Sequence, residues 1–509
     1  MNTVILTGYA LSAKEVWAVS HGEKVALSDS ATAAMNTNYQ SWLDLGAPDV
    51  LAGKEAWLLG ADEECRAPSA LRLRAFVESH CAGVGALLPA AWVRALMLCR
   101  ANVLASARSG CRPQAVQLLI DMLNANIHPK VPSQGSVGAA GDLAPLAHIA
   151  RVAFRLGGMA DCKAGALPAE KAMAEVTEFS PTSKEALSFI NGATLSVALG
   201  ALAIVRTEKL LRSSEAILAM TMEAVLAQKG CIEVAALKAR GHKGGVQVAE
   251  FLSASLSDSE LCTDSREPDA FSIRCAPSVL GAARDTLNYA SETVHCELNG
   301  ACDNPLLIDG KLIEAGNFHG APIGLAMDHL KVALTQIGTL SERRSFRMTH
   351  GDLSEHLPSF LVEDSGRNSG FMLAQYTAAS LASECKGLAM PASVDTIPTG
   401  QHHEDHVSMA PIAARAALKI LDALSEILGI EALCAAQALD FRLEGAFFNA
   451  KGEKQWGPKA RAATAVLRTH STIRKASKRW TEDRVLHLEL EACATVVRQG
   501  QLLETPSPW

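Results

Sequence analysis

The sequence predicts a mainly α fold, a long central helical bundle with a smaller mixed α/β head at its N-terminal end. Three observations carry that prediction. Hydrophobic residues make up 49 % of the 509 residues but aromatics only 5 %, and Ala and Leu dominate the apolar set; this balance favours helix over sheet. Three long segments, 196–229, 324–344 and 411–439, carry helical periodicity without Pro beyond the first turn. The first 190 residues instead alternate short apolar stretches with Gly/Pro punctuation at 83–89, 110–113 and 131–145.

Taken in order, residues 1–190 form the head, with loops at those punctuation points. Within it, Gly157–Pro181 is a polar connecting region. Residues 191–450 form the central bundle. Its best-defined helix, Pro411–Leu439, places Arg415, Lys419, Asp422 and Glu426 at i, i+4, i+7 and i+11, so one stripe faces water and the other faces are packed. Helices of this kind share their surface with other helices or other subunits. Residues 451–509, charged after Gly452, read as peripheral helix. The length allows two to four average domains, yet no low-complexity linker or solenoid-period repeat separates head from bundle, so one folded unit is expected.

Composition excludes several functions. A net charge of −7, spread along the chain, is no nucleic-acid footprint. The 13 cysteines are scattered, odd in number and lack a C-x-x-C pair, the pattern of free thiols in a reducing compartment. Residues 1–10 show no secretory signal, and the apolar run 193–205 is too short for a membrane span. A soluble cytoplasmic protein is expected, with no membrane or nucleic-acid partner.

The most informative stretch is Gly135-Ser136-Val137-Gly138-Ala139-Ala140-Gly141-Asp142-Leu143-Ala144-Pro145-Leu146-Ala147-His148. With it, in order, come Ser109–Pro113, Ser188–Gly192, Phe271–Cys275, Asp303–Leu306, Gly316–His319, Asn368–Met372, Pro391–Asp395 and Glu404–Met409. This ordered set resembles the aromatic amino-acid ammonia-lyases, above all the histidine type. The resemblance implies a largely helical homotetramer, with each active site built from loops of three subunits. It also implies an electrophilic methylideneimidazolone (MIO), made by cyclisation and dehydration of an Ala-Ser-Gly triplet.

Here the triplet reads Ala139-Ala140-Gly141. The small residues that permit ring closure remain, but the methylidene arises by loss of a serine hydroxyl, and Ala140 has none. No MIO cofactor is therefore expected. The resemblance assigns Arg274 to the substrate carboxylate, a task suited to a planar bidentate fork, and Asn191 to the cofactor carbonyl and substrate amine. Ser79-His80 matches the pair facing the substrate ring, Phe318 a further binding position, and Glu404 the glutamate directed at an imidazole. Each has a plainer alternative: an ion pair for Arg274, a turn for Asn191, a hydrogen-bonded structural residue for His80 and a helix N-terminal acid for Glu404. His402 and His406 sit four apart as zinc ligands can, but His403 stands where a zincin needs Glu, so no metal is expected. Gly135, Gly138 and Gly141 lack the Lys-Ser/Thr of a phosphate cradle.

Two catalytic tyrosines are also missing. The lid loop, 33–40, has Ala33 at the tyrosine position and Ala34, Asn38 and Gln40 in place of glycines. The second tyrosine is Phe271, which keeps the ring but loses the acid/base hydroxyl. A glutamine three residues earlier is Pro268. Tyr39 lies a short way along the chain from the lost lid tyrosine, a candidate replacement but not the favoured reading. The leading expectation is an ammonia-lyase-fold protein with little or no lyase activity that binds an aromatic or imidazole amino acid, or an aryl acrylate. The alternatives are a genuine histidine- or tyrosine-type lyase captured as a Ser-to-Ala variant at 140, and a structural or regulatory partner in mixed assemblies with an active homologue.

Overall fold

The computed structural model describes residues 3–51, 69–263, 268–400, 403–449 and 451–502. Helices dominate, and the three predicted long segments appear as Thr194–Ala224, Ala321–Thr349 and Ala410–Glu444. Two more long helices, Ala276–Asn299 and Met372–Leu388, join them. On Ala410–Glu444 the predicted stripe is real: Lys419 and Asp422 are exposed and Arg415 and Glu426 half-buried, while residues 427–439 are buried throughout. No described helix is long and apolar enough to cross a membrane. The described cysteines are free thiols.

The chain divides into two compact units: residues 1–205, 290–328 and 391–415, and residues 206–289, 329–390 and 416–509. Compactness follows packing in space, so the boundaries at 205, 289, 328 and 415 fall inside long helices. The first unit holds small sheets. Thr3–Leu6 pairs in parallel with Lys24–Leu27, and His128–Pro129, Met159–Cys162 and Gly165–Pro168 form an antiparallel sheet. Its core helix, Ala90–Ala105, is buried continuously from Val93 to Ala105, Arg94, Arg100 and Asn102 included. A helix with no wet face must satisfy its polar side chains internally. Arg94 does so by donating to the carbonyls of Val19 (2.7 Å) and Leu123 (2.9 Å).

One expectation is corrected here. Residues 33–40 are not a loop but the middle of the helix Asp29–Asp44. Ser28 caps it, accepting from the Ala31 amide. The replacement of glycines by Ala34, Asn38 and Gln40 removes residues that disfavour a helix interior. Asn38 also anchors the helix, donating to the Leu307 carbonyl (3.0 Å) and accepting from the Gly110 amide (2.8 Å).

In the second unit, Arg344 and Glu431 form a fully buried bidentate pair, and Arg284 holds the buried Glu215. Arg442, also buried, donates to the carbonyls of Ala224 and Ser354.

Candidate active site

The triplet lies in a loop that its neighbours hold on both sides. Gly141 stands back to back with Gly192: at φ +82°, a Cβ there would lie 2.1 Å from the Gly192 carbonyl carbon, so only glycine fits. The Asp142 amide donates to the Gly192 carbonyl (2.8 Å), and the Gly192 amide to the Ala140 carbonyl (3.3 Å). On the other side, Ser408 Oγ donates to the Gly138 carbonyl (2.8 Å), and the Met409 amide to the Val137 carbonyl (2.8 Å). Ala139 is buried against Val407 and Met409. Ala140 is half-buried.

The backbone frame therefore suits the family's cofactor, but the residues do not. The Ala140 methyl stands where a serine would carry its hydroxymethyl group, and without a hydroxyl to eliminate it cannot become a methylidene. No chemical step through that group follows for this chain.

Asp142, fully buried, accepts from Ser136 Oγ (2.9 Å), the Ser196 amide (2.9 Å) and Ser196 Oγ (3.2 Å). Burial pushes its carboxyl up to about 6, with these hydrogen bonds opposing the rise. Asn191 ends the helix Ser183–Ile190. Its Nδ2 donates to the Asn304 carbonyl (2.7 Å), while Oδ1 is buried and has no hydrogen-bond partner among the described residues. Behind it, Arg100 donates to the carbonyls of Asn191 and Cys302. Lys184 donates to Ser188 Oγ (2.6 Å) and Asp303 (3.2 Å), all three side chains buried. Burial raises the Asp303 carboxyl, but Lys184 and Arg100 outweigh it and hold the group below the usual carboxylate range.

The segment carrying Phe318 reaches the triplet loop through Gly320, whose amide donates to the Gly138 carbonyl (3.3 Å). Phe318 itself is half-buried. His80, at the end of the helix Ser69–His80, is three residues before Gly83, which lies against Gly135. Its Nδ1 bonds the Phe76 carbonyl (2.7 Å). A carbonyl only accepts, so Nδ1 carries a proton, and in the neutral ring Nε2 is then the acceptor.

Glu404 is not at a helix start, since the helix begins at Ala410. It closes a turn, accepting from Thr399 Oγ1 (2.6 Å) while the Thr399 amide bonds its carbonyl (3.0 Å). Ala33 is exposed on the Asp29–Asp44 helix, which is anchored to Gly110 and Leu307 rather than to the triplet loop. Tyr39 lies under the Arg112 guanidinium, 5.9 Å from ring centroid to Cζ, and Arg112 is itself paired with Glu185.

Phe271 and Arg274 belong to the second unit and, with Ser272 and Ile273, form a four-residue helix. Phe271 is 73 % exposed. Arg274 is exposed, with no hydrogen bond or ion pair among the described residues. Of the two histidines weighed as a metal pair, His402 lies outside the described residues, and no group of three metal-binding side chains occurs among the described ones.

The aromatic amino acid lyase family profile matches residues 11–469. The chain belongs to that family. It is similar to the histidine ammonia-lyase of Caldanaerobacter subterraneus subsp. tengcongensis, 41 % identical over 435 residues covering 84 % of this chain and 82 % of the relative. The histidine ammonia-lyase of Natranaerobius thermophilus is 38 % identical over 98 % of this chain and 97 % of its own. Among solved structures, histidine ammonia-lyase from Trypanosoma cruzi superposes with a TM-score of 0.87 at 32 % identity, covering 98 % of this chain and 94 % of that one. Tyrosine aminomutase from Streptomyces globisporus gives 0.89 at 29 % identity, covering 98 % of each chain. Full-length similarity of this kind fixes family and fold, while activity depends on the site's own residues.

Asp142, Asn191 and the triplet were legible as motif residues. The supporting side chains were not: Arg100 and Lys184 lie in helical stretches where a lone cation ordinarily marks a wet face, and the Ser188–Gly192 and Asp303–Leu306 motifs contain their partners without identifying them.

Proposed function

We propose that this chain is an ammonia-lyase-fold protein that makes no methylideneimidazolone, has little or no lyase activity, and binds an aromatic or imidazole amino acid or an aryl acrylate. Ala140 carries the reading, because its methyl group bears no hydroxyl to leave as water. Ala33 and Phe271 support it, since the positions of both family tyrosines lack an acid/base hydroxyl. Arg274, with no partner of its own among the described residues, supplies a fork for a carboxylate. His80 Nε2 offers an acceptor to a polar ring. The exposed apolar side chains Leu325, Val332, Leu373 and Tyr376 favour a homotetramer over a monomer. Mixed assembly with an active homologue would use the same surfaces.

The names of the relatives favour a second reading, a genuine histidine ammonia-lyase caught as a Ser-to-Ala variant. Restoring the serine separates the two. With Ala140→Ser the ring regains its leaving hydroxyl, but Ala33 and Phe271 still provide no base. General acid–base groups contribute roughly 10²–10⁴-fold each, so the single revertant should yield at most a trace of urocanate or coumarate. Adding Ala33→Tyr and Phe271→Tyr should raise the yield. Turnover of histidine or tyrosine by Ala140→Ser alone at ordinary enzyme rates would establish the second reading.

A further inference from the structure

The helix Phe271–Arg274 is too short to hold its own shape. Four residues do not repay helix nucleation, and its N-cap, Ala270, has no side-chain cap. Its C-terminal end leads through Cys275 into the long helix Ala276–Asn299, and the rest of its orientation comes from contacts outside it. Ile273 is buried, and upstream Asp269 accepts from the Gln228 amide (2.7 Å). The third hold is Arg344. Its Nε and Nη2 grip Glu431 at 2.5 and 2.7 Å, and its remaining branch, Nη1, donates to the Ser272 carbonyl at 3.3 Å. Glu431 is fixed in turn by Thr221 Oγ1 (2.8 Å).

Both members of this pair are fully buried. A buried ion pair is weak support for stability, since apolar residues of similar volume often serve as well or better. What apolar residues cannot do is reach a main-chain carbonyl with a third donor, and lysine cannot grip a carboxylate with two nitrogens and still do so. We infer that the Arg344–Glu431 pair is a positioning device, clamping the main chain of the Phe271–Arg274 helix so that Arg274 is presented to a ligand carboxylate. The inference rests on the reading of Arg274 given under Proposed function.

The test compares binding of trans-urocanate and 4-coumarate with that of their decarboxylated counterparts, 4-vinylimidazole and 4-vinylphenol, to the full-length protein. The double variant Arg344→Met/Glu431→Leu removes both charges and leaves no unpaired buried ion. It should lose carboxylate preference by about tenfold or more, the scale of one charged hydrogen-bond pair, while binding the vinyl compounds unchanged. Amide hydrogen exchange at residues 269–275 should quicken alongside. Arg344→Lys, which keeps a cation opposite Glu431, should lose preference in the same direction and replaces the double variant if that chain does not fold. A purely structural role would weaken both ligand types equally or neither, and that result overturns the inference. If Arg274→Leu abolishes the preference while both Arg344 variants retain it, the Arg274 reading stands and the clamp is refuted. If the wild type shows no carboxylate preference, the Arg274 reading fails and the clamp falls with it.

Discussion

Replacing Asp142 by Asn should stabilise this protein, and increasingly so as the pH rises. The carboxyl is fully buried at the start of the Leu143–Ala153 helix, and burial moves it from the ordinary 3.8 to about 6. A folded-state value above the unfolded one means that the folded chain prefers the protonated group. The associated stability is fully present below the unfolded value and is lost as pH rises through about 6. A displacement of about two units corresponds to ~3 kcal/mol between the two limits.

The carboxamide introduced by Asp142→Asn is neutral at every pH. Its Oδ1 would accept from the Ser196 amide as the carboxylate does, and its Nδ2 would turn the Ser136 contact into a donation. The variant should come closest to the wild type at the acid end of the range, near pH 4.5, and exceed it by roughly 1–3 kcal/mol at pH 8. Thermal or urea midpoints of both proteins, measured from pH 4.5 to 8 at constant ionic strength, provide the assay. A difference that stays flat with pH, or a variant less stable at pH 8, would refute the argument and mean that the hydrogen bonds from Ser136 and Ser196 outweigh burial.

Intact mass should equal that of the encoded chain, and peptides spanning 139–141 should show no loss of water; a dehydrated mass there would contradict the account of Ala140. Lys184→Met removes one of the two cations beside the buried Asp303, leaving Arg100 at 3.8 Å, and should cost about 1–3 kcal/mol at neutral pH. Because Lys184 and Arg100 hold the Asp303 carboxyl low, its contribution is present above the ordinary 3.8 and fades as pH falls below it, so the deficit of the variant should shrink in that acid range. Denaturation midpoints across that range check both statements. Light scattering at micromolar concentration should report a tetramer, and a monomer would remove the case for a site shared between subunits.

The long helices were legible because their charges recur at the helical period: the stripe on 411–439 fixed a helix found at Ala410–Glu444. The triplet, Asp142 and Asn191 were legible because the motif demands small residues where two backbones touch, as Gly141 and Gly192 do. Residues 33–40 misled. The family's glycines imply a loop there, whereas Ala34, Asn38 and Gln40 had already exchanged it for helix, and the Asn38 anchor involves Gly110 and Leu307, far away in sequence. The plainer alternative for Glu404, a helix N-terminal acid, rested on the apolar run that follows it, but Glu404 closes a turn onto Thr399 and the helix starts only at Ala410. The buried cations escaped notice because burial is a property of the assembled fold and leaves no local periodic trace.

The anchored Asp29–Asp44 helix has a kinetic consequence. A flexible segment that orders around its ligand adds an entropic penalty to binding and a closing step after encounter. Residues 33–40 surrender their backbone freedom earlier, when the chain folds and Asn38 engages Gly110 and Leu307. Ligand association should therefore be a single bimolecular event, its observed rate climbing linearly with concentration and never levelling off at the speed of a moving flap.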